Sequence, residues 1–381
     1  MPPEINFYNP RSIILFFCIL QGIIFSGLLL VRAYRKRSVS DLWLGVLLLI
    51  MCSSLVVHFI GFANVYDNNQ WLTYFPFELI FALAPTIYLY VQTLTNSKRE
   101  LRLKDFLFFV PSLFFWLYSF ILFSQDMEFK EWFGNNLENQ IDLTIKVILF
   151  IWNAVFLFAS IQYYREYRSW LNENYSDTEI IKFNWLRNFL YIFAIIFLLE
   201  SIFDAISFFY LFTYIQAYFL RLVIAVATYY LAVAGYLRSE TIDLNFSPKE
   251  IEPLETETLQ EQRDQTEKLE STKDKLKRFM DSEKPYLDSQ LTLKELSKQL
   301  GTNTTILSHT INKGFSKNFN DFVNEYRVEE IKKILLADSN SEKTFLGVAL
   351  ANGFNSKATF NRAFKKFTGT SPKKFSSQNS Q

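Results

Sequence analysis

The chain has 381 residues, a formal net charge of +1 and only two cysteines. The first 237 residues are dominated by apolar runs rich in Phe and Tyr, whereas the last part, about 140 residues, is highly charged. This asymmetry excludes a single globular domain and favours a membrane domain followed by a soluble one. Cys18 and Cys52 both lie inside apolar runs, which favours small buried hydrophobes over a disulfide or a metal site.

A membrane-crossing helix needs about 20 apolar residues, and seven such runs precede the charged part. The first run lacks the positively charged N-terminal region and the small-residue cleavage site of a signal peptide, which favours an uncleaved span. The seven predicted spans lie approximately at residues 12–31, 41–62, 72–95, 105–124, 139–162, 187–211 and 214–237.

Basic residues are concentrated in the connections after the first, third and fifth spans. The connections after the second and fourth spans are poor in them, with only Lys130 between residues 125 and 138. The positive-inside rule therefore predicts an external N-terminus and a cytoplasmic Arg238.

Ionisable side chains inside the predicted spans are costly and therefore informative. At a rise of about 1.5 Å per residue, most of them fall at a similar depth below the outer surface. Two interpretations remain open: a layer of ion pairs that holds the bundle together, and a polar pocket that binds a ligand. The candidate pocket residues are His58, Glu78, Lys146, Glu200, Asp204 and Arg221.

Residues 239–265 are acidic and contain Pro248 and Pro253, which predicts a flexible tether. A helix is expected from about Thr266 to before Pro285. It is either the first helix of the soluble domain or a short dimerising coiled coil.

A first helix-turn-helix is predicted after this helix. Thr292 and Glu295 have the spacing of a capping box, and Gly301 ends the short helix that they begin. A second helix over about residues 304–313 should bury Ile306, Leu307 and Ile311. Its outward side chains are candidate DNA contacts: Thr305, Ser308, His309, Asn312 and Lys313.

A second helix-turn-helix is predicted around Gly353, which stands where a tight turn needs a positive φ or close packing. Leu346, Ala349 and Leu350 form the predicted apolar face before it, and Phe360, Phe364 and Phe367 the face after it. Asn355 or Ser356 can cap the second helix. The outer face carries further candidate DNA contacts: Ser356, Lys357, Thr359, Arg362 and Lys366. Residues 286–375 contain fourteen Lys or Arg and eight Asp or Glu, a net charge of +6 that suits contact with phosphates.

The pattern from Gly353 to Pro372, GF-x-S-x-x-x-F-x-R-x-F-K-K-x-x-G-x-S-P, closely resembles the signature of the AraC/XylS family of bacterial transcription regulators. The segment from Phe322 to Arg327 is similar to the linking helix of that family. The resemblance covers roughly residues 268–375 and implies two helix-turn-helix units joined by one long helix. Gly347 departs from the family pattern, which implies a less rigid second unit.

These observations predict an all-α chain: a seven-span membrane sensor domain over 1–238, a linker over 239–265 and an AraC-type domain over 266–381. The predicted function is a membrane-anchored regulator in the bacterial inner membrane that senses a signal. Its expected partners are promoter DNA, the lipid bilayer, a second copy of the chain and an extracytoplasmic or membrane-soluble ligand. The alternative is a transporter or membrane enzyme with a regulatory DNA-binding tail. Because the sequence shows no catalytic set or metal-ligand spacing, we expect no enzyme activity, cofactor or metal.

Overall fold

The computed structural model describes residues 4–179, 181, 183–207, 214–237, 246, 259–337 and 344–379. These residues form helices without β-strands, which confirms the all-α prediction. Contacts divide the chain into two compact units. The apolar unit comprises Met1–Arg165 and Asn184–Ser247, and the C-terminal unit comprises Glu166–Phe183 and Pro248–Gln381.

In the described part of the chain, ten α-helices precede residue 237, and the eighth continues into the C-terminal unit. They are α1 (Pro10–Lys36), α2 (Val39–Phe62), α3 (Val65–Asn68), α4 (Leu83–Thr95), α5 (Leu103–Phe106), α6 (Val110–Phe123), α7 (Met127–Asn136), α8 (Glu138–Asn174), α9 (Asn184–Ser207) and α10 (Tyr214–Tyr236). Short 3₁₀ turns lie at Gln70–Leu72, Ile80–Ala82 and Leu107–Phe109.

Six helical stretches in the described part of the chain are long and apolar enough to cross a membrane. They correspond to six of the seven predicted spans: Pro10–Lys36, Val39–Phe62, Leu103–Phe123, Glu138–Asn174, Asn184–Ser207 and Tyr218–Tyr236. The end of the sixth predicted span, residues 208–211, lies outside the described residues.

The third predicted span, residues 72–95, is wrong in its first half. The chain has no regular helix from Thr73 to Leu79, and the apolar helix there covers only Ile80–Thr95. Pro76 and Pro85 explain the difference. A proline lacks the backbone N–H and its ring clashes with the carbonyl four residues earlier, so a helix cannot continue through both. Pro85 is tolerated because it lies in the first turn of α4.

The described residues of the C-terminal unit form seven further α-helices. They are α11 (Leu259–Glu283), α12 (Leu293–Leu300), α13 (Thr304–His309), α14 (Phe319–Ala337), α15 (Phe345–Ala351), α16 (Lys357–Thr368) and α17 (Pro372–Asn379). A 3₁₀ turn covers Pro285–Leu287, and a π-helical turn continues α13 over Thr310–Gly314. Of the predicted linker, residues 239–245 and 247–258 lie outside the described residues.

Helix α14 joins two hydrophobic cores. Its first half contributes Phe319, Phe322 and Val323 to a core shared with α11, α12 and α13. Its second half contributes Val328 and Ile331 to a core shared with α15 and α16. Two helix-turn-helix units are therefore joined by one continuous helix, as predicted.

Three apolar side chains face outward against expectation: Ile306, Leu346 and Leu350 are exposed. In α15 the predicted helical period is right but the register is shifted by one residue. Thr344 caps the helix, so its inward face follows Phe345, Val348 and Ala349 instead. The predicted face had only two helical turns to define it, and a one-residue error rotates a helix by about 100°.

Candidate nucleic-acid interface

The first helix-turn-helix is built by local caps. Thr292 accepts a hydrogen bond from the Glu295 amide at 3.2 Å while the Glu295 carboxylate accepts from the Thr292 amide at 2.9 Å, which is the predicted capping box. Gly301 ends α12 with a φ of +68°, a left-handed conformation that glycine adopts without strain. Asn303 then caps α13 by accepting from the Ile306 amide at 2.8 Å.

The predicted contact residues of this unit lie at the surface of α13 and of the π-helical turn. Thr305, His309, Asn312 and Lys313 are exposed, and Ser308 is half-buried. The Asn312 side-chain amide donates to the Ser308 hydroxyl at 3.3 Å. The buried Leu307 and Ile311 fix this face by anchoring the opposite side in the core.

The second helix-turn-helix turns at Gly353, whose φ is +83°. A Cβ there would lie 2.5 Å from the Tyr286 carbonyl oxygen and 2.8 Å from Arg327 Nε. Both predicted reasons for glycine therefore apply. Ser356 caps α16, because its hydroxyl accepts from the Thr359 amide at 3.2 Å.

The charged side chains of α16 differ in exposure and in ion pairing. Lys357 is exposed, Lys366 Nζ lies 2.6 Å from Asp321 Oδ1, and Arg362 pairs with the carboxylate of Glu179. Together with Thr359, Arg362 and Lys366 line a polar cleft of about 240 Å³. Ser356 and Thr359 are half-buried, so these two hydroxyls are less accessible than the cations.

Arg327 lies at the middle of α14 and is only 1% exposed. It donates to the carbonyl oxygens of Tyr286 and Asp288, both at 2.7 Å, to Asn324 Oδ1 at 3.2 Å and to Ser176 Oγ at 3.2 Å. Burial lowers the pKa of its guanidinium to about 10, so it remains charged at neutral pH. Arg327 therefore organises the junction between the two helix-turn-helix units.

In the apolar unit, the candidate pocket residues form two neighbouring clusters. Arg221 Nη1 lies 3.1 Å from Glu200 Oε1, and Arg221 Nε donates to His58 Nε2 at 3.1 Å. Because His58 Nδ1 lies 3.2 Å from the Ser54 carbonyl, the neutral tautomer protonated at Nδ1 satisfies both contacts. Glu78 interacts electrostatically with both Arg221 and Glu200.

The second cluster joins α8 to α9. Lys146 Nζ lies 2.8 Å from Asp142 Oδ2 and 3.6 Å from Asp204 Oδ1. Lys146, Glu200 and Asp204 line a cavity of about 410 Å³ between the two helices. The cavity wall also carries Asn153, whose buried side-chain oxygen has no hydrogen-bond partner among the residues that the structure describes.

Sequence reasoning missed several residues of these sites. Asp142 could have been found from its i, i+4 spacing to Lys146. The partners of Arg327 and Arg362 in segment 166–183 could not, because no local pattern connects positions so distant in the chain. The acidic and polar composition of this segment, with Asp177 and Glu179, was the available signal.

Comparison with known proteins agrees with this geometry. A family model described as "Helix-turn-helix domain" matches residues 296–378. Uncharacterized HTH-type transcriptional regulators of Staphylococcus aureus strains COL and MSSA476 are each 33% identical over 102 residues. Each match covers 27% of this chain and only 13% of the relative's length. No solved structure gives a significant match.

The matched residues begin in α12 and end in α17, so they include both helix-turn-helix units and the helix that joins them. The signature around Gly353 lies within the same range. The C-terminal part of this chain therefore carries a helix-turn-helix domain of the AraC type.

Proposed function

We propose that this protein is a membrane-anchored, sequence-specific DNA-binding transcription regulator that senses a signal through its apolar helices. One observation carries the proposal: an AraC-type domain with an exposed, basic α16 follows a described region with six helices that are each long and apolar enough to cross a membrane. The similarity to HTH-type regulators supports the DNA-binding half of the proposal.

The DNA-binding half rests on charge and placement. Exposed cations on a helix anchored by Phe360 and Phe364 can enter the major groove, where Arg contacts guanine O6 and N7 with two hydrogen bonds. In the first unit, the proposed contacts to DNA are made by the exposed side chains of Thr305, His309, Asn312 and Lys313.

The membrane half rests on the apolar helices and on the basic connections. The positive-inside rule orients the N-terminus outward and the C-terminal unit toward the cytoplasm. This orientation suits the proposal, because it puts the helix-turn-helix domain in the compartment that contains DNA.

The proposed sensing site is the pair of clusters around Arg221 and Lys146. A charged ligand that enters the cavity between α8 and α9 would exchange internal ion pairs for its own, and so favour one packing of these helices over another. Two chains brought together in the membrane would raise the effective concentration of their DNA-binding units on paired sites, which is why we include a homodimer in the proposal.

The proposal is tested with the full-length chain in lipid nanodiscs and a pool of bacterial genomic fragments. Sequencing the retained DNA should reveal an enriched site. Arg362→Ala should then lower the preference for this site over random DNA by about 1–3 kcal/mol, because a guanine contact is lost. Lys373→Ala, beyond α16, should weaken binding to both DNAs equally. It should also reduce the slope of the logarithm of affinity against the logarithm of salt concentration by about one.

The decisive measurement is the ratio of the affinity for the enriched site to the affinity for random DNA. Any effect of Arg362→Ala that applies equally to all DNA cancels in this ratio. A pool without enrichment would refute sequence-specific binding. Equal losses on both DNAs for Arg362→Ala would limit that residue to phosphate contact.

A further inference from the structure

Segment 166–183 comprises the C-terminal end of α8 and the connection to α9, and it belongs to the C-terminal unit. The Ser176 amide donates to the Leu291 carbonyl at 3.2 Å, and Tyr175 forms an antiparallel bridge with Thr292. From α14, Asn320 Nδ2 donates to the carbonyl oxygens of Ser176 at 2.8 Å and Tyr175 at 3.2 Å. The segment is therefore held by directional backbone contacts on both sides.

The centre of this contact is deeply buried. Ser176 is fully buried and Thr178 is 2% exposed, and the Ser176 hydroxyl accepts a hydrogen bond from the buried Arg327. Burying hydroxyl and guanidinium groups is costly unless their hydrogen bonds are made. The satisfied bonds thus specify one docked position for the segment.

The end of the segment reaches the helix proposed to enter DNA. The Glu179 carboxylate pairs with the Arg362 guanidinium, and Asp177 Oδ2 accepts from Asn355 Nδ2 at 2.7 Å. Asn355 lies immediately before the Ser356 cap of α16. Thr178 and Glu179 also line one side of the 240 Å³ cleft, opposite Thr359, Arg362 and Lys366.

A carboxylate offers Arg362 the same paired acceptors as a guanine edge or a phosphate. Arg362 cannot satisfy Glu179 and DNA with the same donors. The negative charges of Asp177 and Glu179 would also repel the phosphate backbone near α16.

We propose that segment 166–183 is an intramolecular competitor of DNA that holds α16 in a DNA-excluding state. This inference rests on the proposed function, because it requires that α16 binds DNA. Since the segment is continuous with α8 and α9, a change in the packing of those helices around the Lys146–Asp204 pair would pull on the docked segment and release Arg362. Regulation would then pass through this short connection, independently of the linker.

The test measures binding of full-length protein in nanodiscs to the enriched DNA site. The double variant Asp177→Asn with Glu179→Gln should bind about three- to tenfold more tightly than wild type, because a docked competitor is weakened. Ser176→Tyr, which cannot fit a fully buried serine site, should undock the whole segment and give at least the same gain. Glu329→Gln is the matched control, since it removes a paired carboxylate of the same unit that contacts Lys332 and not α16.

Hydrogen exchange supplies a second measurement. The backbone amide at position 176 should exchange slowly in free wild-type protein, and it should exchange faster when DNA is added or when the residue is changed by Ser176→Tyr. One outcome would refute the competitor and leave the proposed DNA binding intact. In that outcome, wild type binds its site, the variants bind no more tightly than Glu329→Gln, and DNA leaves hydrogen exchange at position 176 unchanged. If wild type and every variant bind no DNA, both proposals are refuted.

Discussion

At the scale of single residues, Gly353 shows how a backbone requirement and a packing requirement meet. Its positive φ ends α15, and its missing side chain lets the chain pass against Tyr286 and Arg327. Gly369 also has a positive φ, of +74°, but open space surrounds the position of its absent Cβ. Comparing substitutions at the two glycines therefore distinguishes the cost of backbone strain from the cost of steric contact.

We predict that Gly353→Ala destabilises the C-terminal unit by at least twice as much as Gly369→Ala. Gly369→Ala, the control, should lower the free energy of unfolding by about 1–2 kcal/mol from left-handed strain alone. Gly353→Ala must in addition displace the Tyr286 carbonyl and the Arg327 side chain. The measurement is urea-dependent hydrogen exchange of α14 and α16 in the full-length protein. Equal losses would mean that the neighbours of Gly353 move aside at little cost.

At the scale of helices, boundaries follow caps more closely than they follow composition. Thr344, Ser356 and Asn303 each cap the helix that begins at the next residue, and each accepts a backbone N–H from within the first turn. These side chains satisfy donors that the helix itself cannot. In α15 the cap sets the register that hydrophobic periodicity alone assigned incorrectly.

We predict that Ser356→Ala frays the start of α16 and lowers the stability of its helix-turn-helix by about 1 kcal/mol. Ser356→Asn should restore most of this loss, since asparagine accepts the same hydrogen bond from the Thr359 amide. Hydrogen exchange at Thr359 and Phe360 reports the cap directly. If the Asn variant is as unstable as the Ala variant, the hydroxyl of Ser356 matters for a reason other than capping.

At the scale of the whole molecule, the predicted orientation in the membrane depends on charge and span number together. An odd number of spans places the two ends of the apolar unit on opposite sides. The short apolar helix Ile80–Thr95 decides this prediction, because the basic connections after the first, third and fifth predicted spans share one side only if this helix also crosses the membrane. Without a third crossing, the later basic connections would face outward.

We predict that a reporter fused after Arg238 is cytoplasmic and that one inserted near Asn135 is external, as the positive-inside rule requires. A reporter inserted next to Lys98 is the control and should be cytoplasmic. Alkaline phosphatase and fluorescent-protein fusions, which are active on opposite sides of the membrane, make the measurement. An external reporter after Arg238 would contradict the predicted seven-span arrangement and the proposed access to DNA.

The sequence alone determined the helical class, the apolar stretches, the two helix-turn-helix units and most of the caps. These features depend on interactions within a few residues, such as the Thr292 and Glu295 capping box or the turn at Gly353, so local patterns carry them. The late start of the third apolar helix was visible in Pro76 and Pro85 but was outweighed by the hydrophobicity around them.

Tertiary structure decided which partners these elements meet. Arg327 bonds Ser176 across 151 residues, and Asn355 bonds Asp177 across 178, distances over which one sequence contains no spacing rule. The outward position of Arg362 on α16 follows from helical periodicity, but its pairing with Glu179 depends on how segment 166–183 is docked. Polar contacts of this kind are chosen by the folded geometry, because burial makes an unsatisfied hydrogen bond costly wherever its partner lies in the chain.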